Sequence, residues 1–177
     1  MRDNRVQTIV FTAMFIAMVF VVTTFTGIPI PFSGVEGYFH FGTVVMFTIA
    51  IRYGKRYGGV AGGVGMSLFN IVRGIAIWAP GILVGRFLTG YIMGWIAESP
   101  EGQGKSFARN HIALFVGGVV MLVTTWAYGS YVLGFGPVPS LGTMPATALQ
   151  LVGAYVGIFI ARYLPDLPTT DEPLESK

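Results

Sequence analysis

From Val6 to Gly27 the chain carries no charged side chain, and this run constrains the fold more than any other feature. A helix over it would rise about 1.5 Å per residue and span roughly 30 Å, the thickness of a bilayer core. In lipid the backbone has no water to bond, so a single such segment must be helical. Arg2 and Arg5 precede it in the manner of a secretory signal. The run is too long for a signal's apolar core, however, and no small-x-small cleavage site follows it. The expectation is a retained first transmembrane helix.

Similar segments recur to the end of the chain. Gly27, Pro29 and Pro31 close the first. The pattern predicts further helices over Phe41–Arg52, Tyr57–Ile71, Pro80–Ala97, His111–Leu133 and Pro145–Leu164. The second is short for a span. The third is crowded with glycine (Gly58, Gly59, Gly62, Gly63 and Gly65), which lets another backbone approach closely. Of the 177 residues, 53% are hydrophobic and 11% are charged, against about a quarter charged in soluble domains. A soluble chain of this length could not bury that much apolar surface. The predicted fold class is an all-α integral membrane protein, a six-transmembrane-helix bundle. One transmembrane domain over residues 1–164 would bind the substrate. An acidic, Pro-rich cytoplasmic tail over 165–177 is expected to be disordered.

Charge placement gives the orientation. Arg2 and Arg5, then Arg52, Lys55 and Arg56, then Lys105 and Arg109, then Arg162 all fall on one side of a six-span bundle. The opposite connections carry only Arg73. Basic residues mark the cytoplasmic side, so both termini are expected there. The same placement accounts for the net charge of +3 without a nucleic-acid partner, since the cations sit at helix ends and not in a patch.

Catalytic chemistry finds little footing. The chain has no cysteine, hence no disulfide, thiolate metal site or cysteine nucleophile. It has no HExxH pair and no GxSxG elbow. His40 and His111 fall on opposite sides of the expected bilayer and cannot share a metal. Ser99 to Ser106 ends like a phosphate-binding loop, but the leading Gly is missing and a membrane helix precedes it. No cofactor, metal or catalytic residue is expected.

The segment Ile28–His40 is the richest in chemistry. Pro29 and Pro31 stiffen it. Phe32, Tyr38 and Phe39 offer flat apolar faces, and Glu36 and His40 offer polar contacts. Such a loop could roof a small heterocyclic ligand, or its aromatics could anchor at the headgroup level. Asn70, Trp78, Tyr128 and Gln150, near the same side, complete the candidate substrate-binding set. Arg86, about two turns into the fourth helix, is either a functional charge or one satisfied by backbone carbonyls. Ala13 and Ala17 lie one turn apart on one face of the first helix and leave a small-residue strip. Gly90 with Gly94, and Gly153 with Gly157, make similar strips whose usual role is internal packing.

Together these features resemble the substrate-binding S components of energy-coupling factor (ECF) vitamin transporters. The resemblance covers nearly the whole chain. It rests on the size, the six helices, the long first external loop, the Ala13-x-x-x-Ala17 strip and the stretch Gly37–Thr43. That stretch is similar to the family's Tyr-x-His-Leu-Gly-Asp segment, with Phe41 in place of Leu and Thr43 in place of Asp. The branch it most resembles is that for hydroxymethylpyrimidine, pyridoxine and riboflavin. The resemblance implies a bacterial plasma-membrane subunit that binds a vitamin from outside. It would dock through Ala13 and Ala17 on a scaffold membrane protein (the T component) carrying two ABC-type ATPases, and hydrolyse nothing itself. The expected ligand is a hydroxymethylpyrimidine- or pyridoxine-like heterocycle, with riboflavin as the alternative. A self-sufficient channel or exporter and an intramembrane enzyme are the competing classes.

Overall fold

A computed structural model describes residues 2–32 and 35–167, with side chains at 5–30 and 37–167. Its element order is α1 (Arg2–Thr26), β1 (Ile28–Phe32), β2 (Val35–Phe39), α2 (Gly42–Tyr53), α3 (Lys55–Val72), α4 (Ala79–Ile96), α5 (Phe107–Ala127) and α6 (Met144–Tyr163). A 3-10 turn at Ala76–Trp78 leads into α4. A π-helical turn at Tyr128–Val132 extends α5, and short helical turns at Pro137–Ser140 and Leu141–Thr143 lead into α6.

The helices begin and end where local chemistry requires it. Pro80 and Pro145 sit in the first turns of α4 and α6, where proline removes no intrahelical bond. Gly54, at φ +92°, separates α2 from α3, a conformation side chains resist. Three threonines near the end of α1 bond back into their own helix. Thr23, Thr24 and Thr26 donate to the carbonyls one turn back, at Val19, Phe20 and Val22.

The expected loop Ile28–His40 is instead an antiparallel hairpin. Ile28 pairs with Phe39, Pro29 with Tyr38 and Ile30 with Gly37. Pro29 and Pro31 obscured it in the sequence, yet a two-stranded ribbon is all edge, where proline is tolerated. The fifth helix begins earlier than expected, at Phe107, and passes into the π turn at Tyr128.

Packing around α2 explains its shortness. Its side chains are buried from Met46 to Arg52, because α1, α3, α4 and α6 all touch it. α3 lies along α4, α4 along α5 and α5 along α6. The core combines small or pliable side chains, among them Met46, Ala50, Ala61, Met66, Met93, Ala113, Met121 and Ala154, with a few large ones such as Phe15, Phe47 and Ile51. Many other large apolar side chains point outward, including Ile9, Phe25, Trp95, Phe115 and Val152. That inside-out distribution belongs to a bundle solvated by lipid. Four helical stretches, Arg5–Thr26, Ala76–Ile96, Phe107–Val132 and Pro137–Tyr163, are long and apolar enough to cross a membrane. α2, with 12 residues, would rise only about 18 Å.

The two ends of the bundle differ. At one end the α2–α3 turn, the α4–α5 loop and the end of α6 converge. Arg52 Nε donates to the Leu164 carbonyl at 2.7 Å, and its guanidinium pairs with Asp166 at 2.9 Å. Lys55 reaches Glu98 at 3.5 Å, and Arg109 donates to the Glu98 carbonyl. Gln103 Nε2 donates to the terminal carbonyls of two helices, Ile51 at 3.0 Å and Gly94 at 2.9 Å. The phosphate-loop look-alike is thus a helix-capping loop, with Gly104 N–H bonded to the Ala97 carbonyl. At the other end lie the hairpin, the α3–α4 connection with Arg73, and the turns between α5 and α6.

Candidate functional site

Beneath the hairpin the bundle opens into a cleft lined by β2, α3, α4, α5 and α6. Close backbone approach places its roof. A Cβ on Gly37 would lie 2.7 Å from that of Ala146, so only glycine lets β2 rest on the start of α6. Gln150 locks this contact. Its Nε2 donates to the Tyr38 carbonyl at 2.5 Å, and its Oε1 accepts from the Thr43 hydroxyl at 2.5 Å. Thr43 is fully buried. The position where the resembled motif carries an acid here ties the roof to α6.

Phe69 of α3 is the apolar centre of the cleft and escaped the sequence reading, as one phenylalanine among fourteen. Tyr38 meets it edge-on at 5.7 Å, His40 tilts against it at 5.8 Å, and the Arg73 guanidinium stands 5.7 Å from its centroid. Arg73 also donates to the Gly27 carbonyl at 3.2 Å, which pins the start of the hairpin. Trp78 closes the side wall against Tyr128 and Phe135, with centroids 6.1 and 5.9 Å away.

Of the expected site residues, Tyr38, His40, Asn70, Trp78 and Gln150 all line this cleft. Tyr128 stands behind Trp78, its hydroxyl donating to the Ile77 carbonyl at 3.0 Å. The side chain of Glu36 lies outside the described residues; its backbone pairs with Pro31 in the hairpin. Thr125, Thr143 and Thr147 also line the cleft. Nothing in their sequence spacing marked them.

Arg86 reaches the cleft from α4 and is 4% exposed. Among the described residues its Nε and Nη1 have no hydrogen-bond partner. The ion pairs among the described residues, Arg52–Asp166 and Lys55–Glu98, both lie at the opposite end. His40 Nδ1 is also buried without a partner. Burial, and then the charge of Arg86, push the His40 imidazole down from 6.5 to about 3, so it is neutral at physiological pH. No group of three or more His, Cys, Asp or Glu side chains able to hold a metal occurs among the described residues.

The free volume of the cleft is about 60 Å³, well below the roughly 300–1,000 Å³ of a formed small-molecule site.

Ala13 and Ala17 are not among the residues that line this cleft. Both are exposed on α1, on a face shared with Ile9, Val10, Met14 and Met18, so the strip is not consumed by the bundle's own packing.

Comparison with known proteins agrees with this architecture. Residues 3–164 match the family model described as the S component of ECF-type riboflavin transporters. A protein of Pyrococcus woesei, described as "Uncharacterized protein in gap 3'region", is 35% identical over 117 residues, covering 66% of this chain and 73% of the relative. A polytopic apolar bundle with one polar, aromatic cleft under a hairpin, matched from Arg2's neighbour Asp3 to Leu164, places the chain in the family of ECF-type riboflavin transporter S components: a membrane-embedded, substrate-binding transport subunit and not an enzyme.

Proposed function

We propose that this chain captures a small heterocyclic vitamin in the cleft under its hairpin and delivers it through an ATP-driven module formed by a T component and two ABC-type ATPases. The observation that carries the reading is the cleft itself. In a bundle whose interior is mostly Ala, Gly and Met, the polar side chains of His40, Asn70, Arg86, Thr147 and Gln150 converge on one place beside Phe69 and Trp78. Aromatic faces for a ring and a few fixed polar groups are what a heterocycle requires. The basic end would face the cytoplasm in the plasma membrane, so the hairpin faces outside and the cleft fills from there. Among ring ligands, riboflavin is named in the family's description. Hydroxymethylpyrimidine and pyridoxine are, like it, flat heteroaromatics, with a single ring in place of its three.

The test is binding by the isolated chain. Purified protein, titrated with each of the three rings, should bind one of them tightly, and quenching of tryptophan fluorescence should report it. Trp78→Ala should weaken that binding by about ten- to a hundredfold, the loss of about 1–3 kcal/mol of contact. The chain alone in liposomes should carry no flux. Unaltered affinity in Trp78→Ala would move the site elsewhere, and flux without ATPases would make the chain a self-sufficient transporter.

A further inference from the structure

Resting on the reading of the cleft as the ligand site, we infer that Arg86 sets ligand specificity by binding an acceptor-only edge, such as a ring carbonyl beside an unprotonated ring nitrogen or an acid's oxygens, and by rejecting rings that present an amino edge. Asn70 spends an amide N–H on the Met66 carbonyl, and Gln150 spends one on the Tyr38 carbonyl. The Thr143 hydroxyl donates to the Ser140 carbonyl, and that of Thr147 to the Thr143 carbonyl. Each amide therefore keeps one N–H, and each of these hydroxyls keeps only acceptor lone pairs. Arg86 differs in carrying a whole fork of N–H groups and no acceptor, and its Nε and Nη1 have no partner among the described residues.

Charge sharpens the point. A guanidinium that is 4% exposed, within a lipid-solvated bundle and ion-paired to no carboxylate among the described residues, is expensive to keep. Nearby His40 is held neutral, so the site already refuses a second positive charge. A ligand bringing amino groups or a protonated ring would add donors to a donor. A ligand bringing two oxygens, or an oxygen and a ring nitrogen, would accept the parallel N–H groups of the guanidinium fork. Its flat remainder would lie against Phe69 and Trp78.

The test uses the full chain in detergent with two rings of opposite edge: riboflavin, whose two ring carbonyls each lie beside an unprotonated ring nitrogen, and hydroxymethylpyrimidine, which has an amino edge. Wild type should prefer riboflavin by about a hundredfold or more, and Arg86→Met should cut riboflavin affinity by roughly ten- to a hundredfold while leaving the weak pyrimidine affinity in place. Arg86→Lys, which keeps the charge but loses the fork, should fall between. Ligand-free Arg86→Met should melt at or above the wild-type temperature, because a buried uncompensated charge has been removed. This last readout separates a ligand anchor from a structural arginine, and it holds even if neither ring binds. A lower melting temperature in ligand-free Arg86→Met, an unchanged preference between the rings, or a wild-type preference for the pyrimidine would overturn the inference. So would Glu36→Gln destabilising the ligand-free chain, since the hairpin's carboxylate would then be the partner of Arg86. Failure of the underlying site reading looks different: riboflavin binding would then be indifferent to Trp78→Ala and His40→Ala as well as to Arg86→Met.

Discussion

His40 shows what a single residue contributes here. Its imidazole titrates at about 3 in the folded chain against an ordinary 6.5, because burial and then Arg86 oppose its charged form. Between those values the unfolded chain takes up a proton that the folded chain refuses. The depressed group therefore supports the fold fully above about pH 6.5, and this support is lost as pH falls toward 3, at up to about 1.4 kcal/mol per pH unit. The wild-type melting temperature in detergent should fall as pH drops from about 7 to about 4, and His40→Asn should remove part of that slope. Parallel slopes would assign the acid sensitivity to another group. At this scale the sequence was partly legible. Rarity in an apolar chain marked His40, Asn70, Trp78 and Gln150, and they meet in one cleft. Phe69 and the threonines could not be marked that way, because their types are common here and only the packing of α3 against the hairpin selects them. Thr43 looked like a lost acid. Its bond to Gln150, a partner more than a hundred positions away, is invisible to any local pattern.

Among elements, glycine strips of identical spacing turn out to do different things. Gly90 and Gly94 both face α3 so closely that a Cβ at either would strike backbone atoms, those of Gly58 and Gly59 in one case and of Lys55 and Gly54 in the other. Gly157 sits within 3.1 Å of the Val44 carbonyl on the same measure, whereas a Cβ at Gly153 would meet only the Val44 side chain at 3.7 Å. Backbone cannot step aside as a side chain can. Gly90→Val should therefore exceed the usual overpacking cost of about 1–3 kcal/mol and abolish folded, monodisperse protein on size-exclusion chromatography. Gly153→Ala should melt within a few degrees of wild type or above it, since alanine improves on glycine by up to about 1 kcal/mol in a helix. A tolerated Gly90→Val would mean that α3 and α4 are not held in this contact. The helices themselves were legible from their apolar runs, each within a few residues of the observed ends. The hairpin was not, because two prolines in five residues argue against a strand unless it lies at the edge of its sheet.

For the whole molecule the question is which way it faces and what it touches. With no native cysteine, single reporters can decide the first. Val138→Cys, at an exposed position at the hairpin end, should react with an impermeant reagent added outside cells, and Glu101→Cys at the basic end should not. Ser140 would be a poor reporter because it is fully buried. With that orientation fixed, α1 becomes the element with an unused face. In lipid, helices associate through close contact and not through hydrophobic expulsion, so an exposed row of small residues is where a partner helix can approach. Ala13 and Ala17 form such a row and are exposed, while Phe15 and Val19 on the opposite side are buried in the core. The double substitution Ala13→Trp with Ala17→Trp should therefore leave the isolated chain folded and its ligand affinity within about twofold of wild type, since neither position touches the cleft. It should still prevent co-purification with the T component and ATPases and stop ATP-dependent uptake, because an indole ring on each turn holds the partner backbone several ångströms away. A double mutant that assembles and transports normally would remove α1 from the interface. One that loses folding and ligand binding together would show that this face packs within the bundle after all.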